Sequence, residues 1–418
     1  MTSVAPEAKL VDHSLLQHRA FLHFWVSRMG SMFAYQMVSV AVGWQVYALT
    51  GRALDLGIIG LVQFIPSLLF ALPAGHVADI FDRRRVAMVC QMVEWMAIGL
   101  LAAGTWLHWF KEPAILAMLL VIGLAKAFEF PTMQSLLPGL VPPALLPRAM
   151  AMGSSGIQAA MIIGPALGGF LYVAGADVVY GVSSLLCLLA LWQLRYARSD
   201  RPPSKREPPT LKTLFAGIDF IRQRPVILGA ISLDLFAVLL GGATALMPIF
   251  ARDILHTGPW GLGILRAAPS IGALGMGVWL AQSPLQRHVG RTMFATVAAF
   301  GVATLVFALS TSFLLSALAL VAMGAFDMVS MVIRGALVQL ETPDGMRGRV
   351  SAVNAIFINT SNQLGEFESG ITAAWFGTVP AVIIGGLGTL LVVALWMHWF
   401  PELRERRQLA SEPQAETG

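Results

Sequence analysis

A small set of charged residues sits inside long apolar runs of this 418-residue chain. Arg28, Lys126, Glu129, Asp234, Asp327, Arg334, Glu366 and Glu368 each interrupt a stretch able to cross a bilayer. Charge in hydrocarbon is costly, and where a chain keeps it the usual use is an ion or substrate pathway. Arg28, Lys126 and Arg334 balance Glu129, Asp234 and Asp327, so that subset sums to zero. Lys126 and Glu129 are three apart and Asp327 and Arg334 seven apart, which puts each pair on one helical face. Glu366 and Glu368 are two apart and point to different faces, so at most one is expected to look into a central cavity. A carboxylate in apolar surroundings can take and release a proton near neutral pH, which makes these acids candidates for proton coupling. The alternative is that the charges pair and pin helices together. Glu94 and Arg266 also fall in apolar runs and read as packing or interface residues. Arg28 and Asp234 lie a few turns from the membrane surface, close enough to snorkel. Trp44, Gln45 and Tyr47 are candidates for lining a route for a bulky amphipathic molecule, against the commoner use of aromatic rings as interface anchors.

These residues need helices that span a membrane, and composition supplies them. The chain is 56% hydrophobic and 12% charged, against about 25% charged for an ordinary soluble domain. A spanning helix takes about 20 mostly apolar residues. Twelve candidates are expected, near 20–48, 56–80, 86–109, 113–137, 150–174, 178–196, 226–250, 259–281, 292–310, 313–340, 350–376 and 379–399. On that division one side of the membrane carries only Arg52, Lys111 and Arg252. The other carries the remaining basic residues outside the spans, Arg83, Arg84 and Arg85 among them. Cytoplasmic loops are the Lys/Arg-rich ones, so both termini are expected in the cytoplasm of a multi-pass protein of a bacterial-type inner membrane. The net charge of +5 reflects that bias and implies no nucleic acid partner. Residues 1–19 lack the apolar core and small-residue cleavage site of a signal peptide. Cys90 and Cys187 fall within spans, so no disulfide framework is expected. No metal-ligand cluster, nucleophile–base set or phosphate-binding loop is found, so neither a metal, a cofactor nor an enzyme is implied.

The organisation is bipartite. A tail (1–19) leads into six spans (20–197), then a Pro-rich basic linker with an amphipathic segment (198–225), six more spans (226–400) and a tail (401–418). Ala127-Phe128-Glu129 matches Ala325-Phe326-Asp327, and Gly164 to Gly169 stands opposite Gly365 to Gly370. Ala190-Leu191-Trp192 matches Ala394-Leu395-Trp396, so the offsets are 198, 201 and 204. The expected fold is therefore an all-α membrane protein, twelve transmembrane helices in two six-helix pseudo-repeats, an architecture of transporters.

Between spans two and three lies Gly75-x-Val77-Ala78-Asp79-x-x-Asp82-Arg83-Arg84. It resembles the signature loop of the major facilitator superfamily. Ala160-x-x-x-Gly164-Pro165-x-x-Gly168-Gly169 resembles the antiporter motif of its drug-efflux branch. Asp82, Phe130-Pro131, Leu136-Leu137-Pro138-x-Leu140-Val141-Pro142 and Thr342-Pro343-x-x-x-Arg347-Gly348-Arg349-Val350 look like the branch that includes the enterobactin exporter. Ile80 and Ala160 depart from the common pattern, and Ile80 removes one possible ion pair. The resemblance implies a secondary transporter working by alternating access, with proton-coupled efflux of a siderophore, drug or metabolite favoured over import. A membrane-embedded receptor or enzyme is the remote alternative. It also implies that Gly75, Asp79, Asp82, Arg83 and Arg84 form a cytoplasmic gate, Asp79 meeting the N-terminal end of span eleven. Arg83 and Arg84 would then pair with carboxylates, where the plainer alternative is that they only mark topology. Spans one, four, seven and ten would line the cavity. Gly164, Gly168 and Gly169 share a helix side that admits a close neighbour, and Pro165 removes a backbone hydrogen bond. The implied partners are the bilayer, a small molecule and protons, with the chain acting as a monomer.

Overall fold

The computed structural model describes residues 15–198, 211–283 and 288–409, and every regular element among them is helical. The first crossings are α1 (Arg19–Thr50), α2 (Ala53–Leu69) continued by α3 (Ala71–Ile80), α4 (Arg83–Trp106), α5 (Glu112–Leu136), α6 (Leu146–Tyr172) and α7 (Ala176–Leu194). A surface helix, α8 (Leu211–Arg222), precedes α9 (Pro225–Leu240) and the three-residue α10 (Met247–Ile249). Then come α11 (Pro259–Gln282), α12 (Val289–Leu309), α13 (Phe313–Glu341), α14 (Asp344–Phe376), α15 (Thr378–Trp399) and the short α16 (Pro401–Glu405).

Local chemistry explains the punctuation. Helix α1 stops at Gly51, whose left-handed φ of 64° lets its N–H reach the Tyr47 carbonyl. Helix α4 starts on Asp82, whose carboxylate accepts the Arg85 N–H at 2.9 Å. Proline opens α9 and α11, where its missing N–H costs nothing. Two spans expected to be continuous are broken. The second pauses at Phe70, one turn after Pro66. The seventh stops at Leu240 before Gly241-Gly242, passes through a 3-10 turn and α10, and ends in a π-helical turn over Phe250–Ile254. Paired glycines favour such an interruption because they have the most backbone freedom to lose.

Nine of the described helices are long and apolar enough to cross a membrane. Helices α1 and α14 and the broken pair α2–α3 complete twelve crossings. Helix α2 is apolar but only 17 residues long, while α1 and α14 carry more polar residues; α1 meets α11, and α2 packs along α14, so all three lie where the two sets of six face each other. Each set has its own core. Met37, Ile98, Leu101, Leu119 and Tyr180 fill the first, and Leu233, Met293, Phe294, Ile333 and Leu337 the second. A third cluster joins Val40, Tyr47 and Leu56 of the first six crossings to Met247, Phe250, Leu262 and Leu265 of the last six.

That joining cluster lies toward the face opposite the Arg83–Arg85 loop, called here the far face. Glycines allow the contact. A Cβ on Gly57 would stand 2.9 Å from Gly370 Cα, and one on Gly169 would stand 2.9 Å from Gly263 Cα. At the basic face, α3 packs on α5 and α4 of its own set. The amphipathic segment expected over 211–224 is α8, and its Gly217 lies against the Arg349 carbonyl of α14. The rest of the expected linker (199–210) and of the tails (1–14 and 410–418) lies outside the described residues.

Candidate functional site

Five residues from three helices build one charged centre in the first six crossings. Lys126 and Glu129, one turn apart on α5, form the ion pair their spacing predicts. The Lys126 ammonium also meets Glu94 of α4 at 2.9 Å and donates to the Ser31 hydroxyl of α1 at 2.6 Å. Gln91, three residues before Glu94, donates to Glu129 at 3.1 Å. Glu94, Glu129 and Ser31 are all buried. One ammonium therefore serves two carboxylates, and Glu94 Oε1 is buried with no hydrogen-bond partner among the described residues. Arg28, one turn before Ser31, feels Glu129 through space but makes no direct ion pair among the described residues. Glu94, expected to be a packing residue, thus stands in the middle of the site. Its i+3 relation to Gln91 was visible in the sequence, but nothing there placed α4 beside Lys126.

The last six crossings hold a second centre. Arg334 of α13 is ion-paired with Asp234 of α9, and both are buried. Asp234 is 6% exposed, which replaces the expectation that it could snorkel to the surface. Asp327, on the same face of α13 as Arg334, makes no ion pair with it and instead lines a small cavity with Asp234 and Ser330.

Between the two centres, side chains cross from one set of helices to the other. Lys126 stands over the Tyr35 ring at 5.6 Å, and the Tyr35 hydroxyl is 2.6 Å from Gln63 of α2. From the other side, Arg266 of α11 donates to the Ser39 hydroxyl of α1 at 2.5 Å. Glu366 of α14 lies against Gly60, where a Cβ would be 2.9 Å from its Oε2. Glu368 turns away and accepts from Thr372 at 2.8 Å, as the spacing of two required. Gln158 of α6 donates to the Ser270 carbonyl of α11 at 3.0 Å. Gln45, expected on a substrate route, is instead packed in the first core, accepting from Tyr180 at 2.7 Å. Trp44 makes an edge contact with Tyr172.

At the far face the Tyr47 hydroxyl donates to Asp253, and Arg252 stands 5.6 Å above the Tyr47 ring. The π-helical turn aims both residues; such turns are frequent at working sites. This pair bridges the two sets. A charge-assisted hydrogen bond contributes about 1.5–3 kcal/mol when protected. Asp253 is about half exposed, so screening brings the expected value nearer 1 kcal/mol, roughly fivefold in population. Tyr47→Phe should therefore raise far-face opening severalfold, read as faster labelling of a buried Ala243→Cys reporter by an impermeant thiol reagent. Unchanged labelling would mean that the bond holds nothing shut.

The signature loop makes its described bonds within the first six crossings. Arg83 donates to the Ala78 carbonyl at 3.1 Å and the Ser135 carbonyl at 3.0 Å, and Arg84 to the Arg195 carbonyl at 2.8 Å. Asp82 caps α4, and Gly75 and Asp79 lie in α3; the Asp79 side chain lies outside the described residues. In α6, Gly164 lies against Gln36 and Gly168 against Met37 of α1, while Gly169 and the Pro165 carbonyl face Gly263 of α11. Pro165 is accommodated within a single continuous α6.

Twelve crossings in two sets, meeting along glycine-lined contacts and holding buried charge on facing helices, define a transporter of the major facilitator type. Solved structures share the fold. A bacterial homolog of the human lysosomal transporter Spinster, captured inward-facing and occupied, superposes with a TM-score of 0.74 at 12% identity, covering 92% of this chain and 98% of that one. An inward-facing bacterial homologue of the iron transporter ferroportin gives 0.66 at 17% identity, covering 94% and 100%. The family model described as transmembrane secretion effector matches residues 12–417, and the chain belongs to that family. Its curated relatives include the enterobactin exporter EntS of Citrobacter koseri, 26% identical over 96% of each chain, and that of Escherichia coli O157:H7, 25% identical over 98% of this chain and 99% of the relative. The protein is a multi-pass efflux transporter of a small molecule and not an enzyme.

Proposed function

We propose that the chain exports its substrate from the cytoplasm across a bacterial inner membrane in exchange for protons, as a monomer with both termini cytoplasmic. The observation that carries this is the buried Glu94–Lys126–Glu129 centre with its unpartnered Glu94 Oε1. Two carboxylates around one ammonium are one positive charge short, and a proton on Glu94 supplies it without displacing Lys126. With the far-face contacts closed, the conformation corresponds to an inward-facing state. The Gly75, Asp79, Asp82, Arg83 and Arg84 loop would then act when the basic face closes. The α6 glycines and Pro165 would serve as the sliding surface on α11. Glu366 and Arg266, at the divide, would report opening to the charged centres.

The names of the relatives nominate enterobactin as the first compound to assay, within a panel of siderophores, drugs and metabolites accumulated by a deletion strain. In proteoliposomes, an imposed pH gradient should drive uptake into vesicles carrying inverted protein. Glu94→Gln should abolish the gradient's effect while leaving counterflow. Transport that ignores the gradient in the unmodified protein, or a Glu94→Gln variant that still responds to it fully, rejects the proton reading.

A further inference from the structure

The cavity between α9 and α13 is separate from the Glu94–Lys126–Glu129 centre. Asp234, Ala237, Phe300, Phe326, Asp327 and Ser330 line it, and its free volume of about 10 Å³ accepts one water-sized sphere. Asp327, Ser330 and Arg334 follow at spacings of three and four, so they share one face of α13. Arg334 is committed to Asp234. Asp327 makes no ion pair or hydrogen bond among the described residues. The Ser330 hydroxyl is the second, independent sign of a ligand site: Ser330 is 2% exposed, it lines the cavity, and no described residue donates to or accepts from its oxygen.

Charge and shape narrow what would fit. Two carboxylates and one guanidinium leave one negative charge uncompensated, in a membrane interior where that is costly. The last turn of α9 adds to it. Ala237 and Val238 line the cavity near the C-terminal end of α9, the negative pole of the helix, and the Ala237 carbonyl itself is occupied, accepting from the Gly241 N–H at 2.9 Å and the Thr389 hydroxyl at 3.1 Å. The helix unwinds just beyond, at Gly241-Gly242. A divalent ion would find too few anionic ligands, because Asp234 is already held by Arg334. An organic cation would not fit the volume.

We propose that this cavity binds one dehydrated monovalent cation of sodium size. Asp327 is its anionic ligand and the Ser330 hydroxyl a neutral one, beside the negative pole of α9. The inference rests on the protein being an ion-coupled transporter, and it adds a second coupling ion held in the half that lacks Lys126.

The test is equilibrium binding of radioactive sodium to the full-length protein in nanodiscs at fixed pH, with choline chloride holding ionic strength constant. Saturable binding is expected. Asp327→Asn should remove it, and Ser330→Ala should weaken it about tenfold or more, the scale of losing one hydrogen-bonding oxygen to a charge. Ser154→Ala, on an exposed face of α6, should keep it. Size-exclusion profiles check that the variants are folded, and Ser330→Ala carries the test if Asp327→Asn is not. No saturable binding, or binding indifferent to both changes, overturns the proposal. A site that responds to pH through Asp327 but not to sodium is a proton site, and overturns it too. Because the measurement needs neither substrate nor gradient, failure here leaves the proton reading standing. Equally, a Glu94→Gln variant that still responds to pH leaves this site standing.

Discussion

Lys126→Met should be among the most damaging single substitutions in the protein. It removes the ammonium that Glu94 and Glu129 share and leaves two buried carboxylates facing each other about one hydroxyl, Ser31. Breaking a buried ion pair from one side costs about 3–5 kcal/mol, mainly the penalty of the stranded charge. Thermal unfolding of the purified protein in detergent should show that loss. The triple variant Lys126→Met, Glu94→Gln, Glu129→Gln removes the stranded charges and should recover most of the stability, yet should not recover response to a pH gradient. Stability and coupling are thereby separated. If Lys126→Met unfolds at the temperature of the unmodified protein, the centre carries no such electrostatic stress and the shared-ammonium account is wrong.

The second large effect is expected at the α6–α11 contact. Valine at position 169 or 263 would drive a branched side chain into backbone: a Cβ at Gly169 already falls 2.5 Å from the Pro259 carbonyl oxygen. Backbone cannot move aside as a flexible side chain can, so overpacking of about 1–3 kcal/mol is expected. The clash exists only while the far face is closed. It therefore acts as a bias between states, and 1–3 kcal/mol shifts their ratio by roughly 5- to 150-fold. Gly169→Val and Gly263→Val should hold the transporter open at the far face, with fast labelling of the Ala243→Cys reporter and transport lowered by tenfold or more. Gly181→Ala is the control, since a Cβ there meets nothing within 4 Å. Equal labelling in all three variants would show that α6 and α11 do not part during the cycle.

Much of this was legible along the chain. The number of crossings follows from hydropathy and basic-residue counting, because solvation by lipid or water is decided residue by residue. The one-turn spacing of Lys126 and Glu129 was enough to pair them, since both lie on the same helix. The opposing faces of Glu366 and Glu368 likewise followed from helical geometry. The breaks at Phe70 and Gly241-Gly242 interrupt spans that hydropathy makes continuous, because Pro66 and the glycine pair act on the backbone locally while the run around them stays apolar.

Other features depended on which helices meet. Arg334 shares a face with Asp327, yet its partner is Asp234 on α9. Glu94 joined the charged centre because α4 packs on α5, and Arg266 reached Ser39 because α11 crosses α1. Tyr47, an interface aromatic by its position, became half of a bridge because a π-helical turn delivers Asp253 to it. Span count, basic asymmetry and within-helix pairs were therefore decided by the order of residues, since each depends on neighbours a turn or less away. The pairings between helices, the buried oxygens left without partners and the face at which the two sets touch were decided by tertiary packing. Those depend on the few ångströms between side chains far apart in the chain, a distance that neither hydropathy nor helical periodicity encodes.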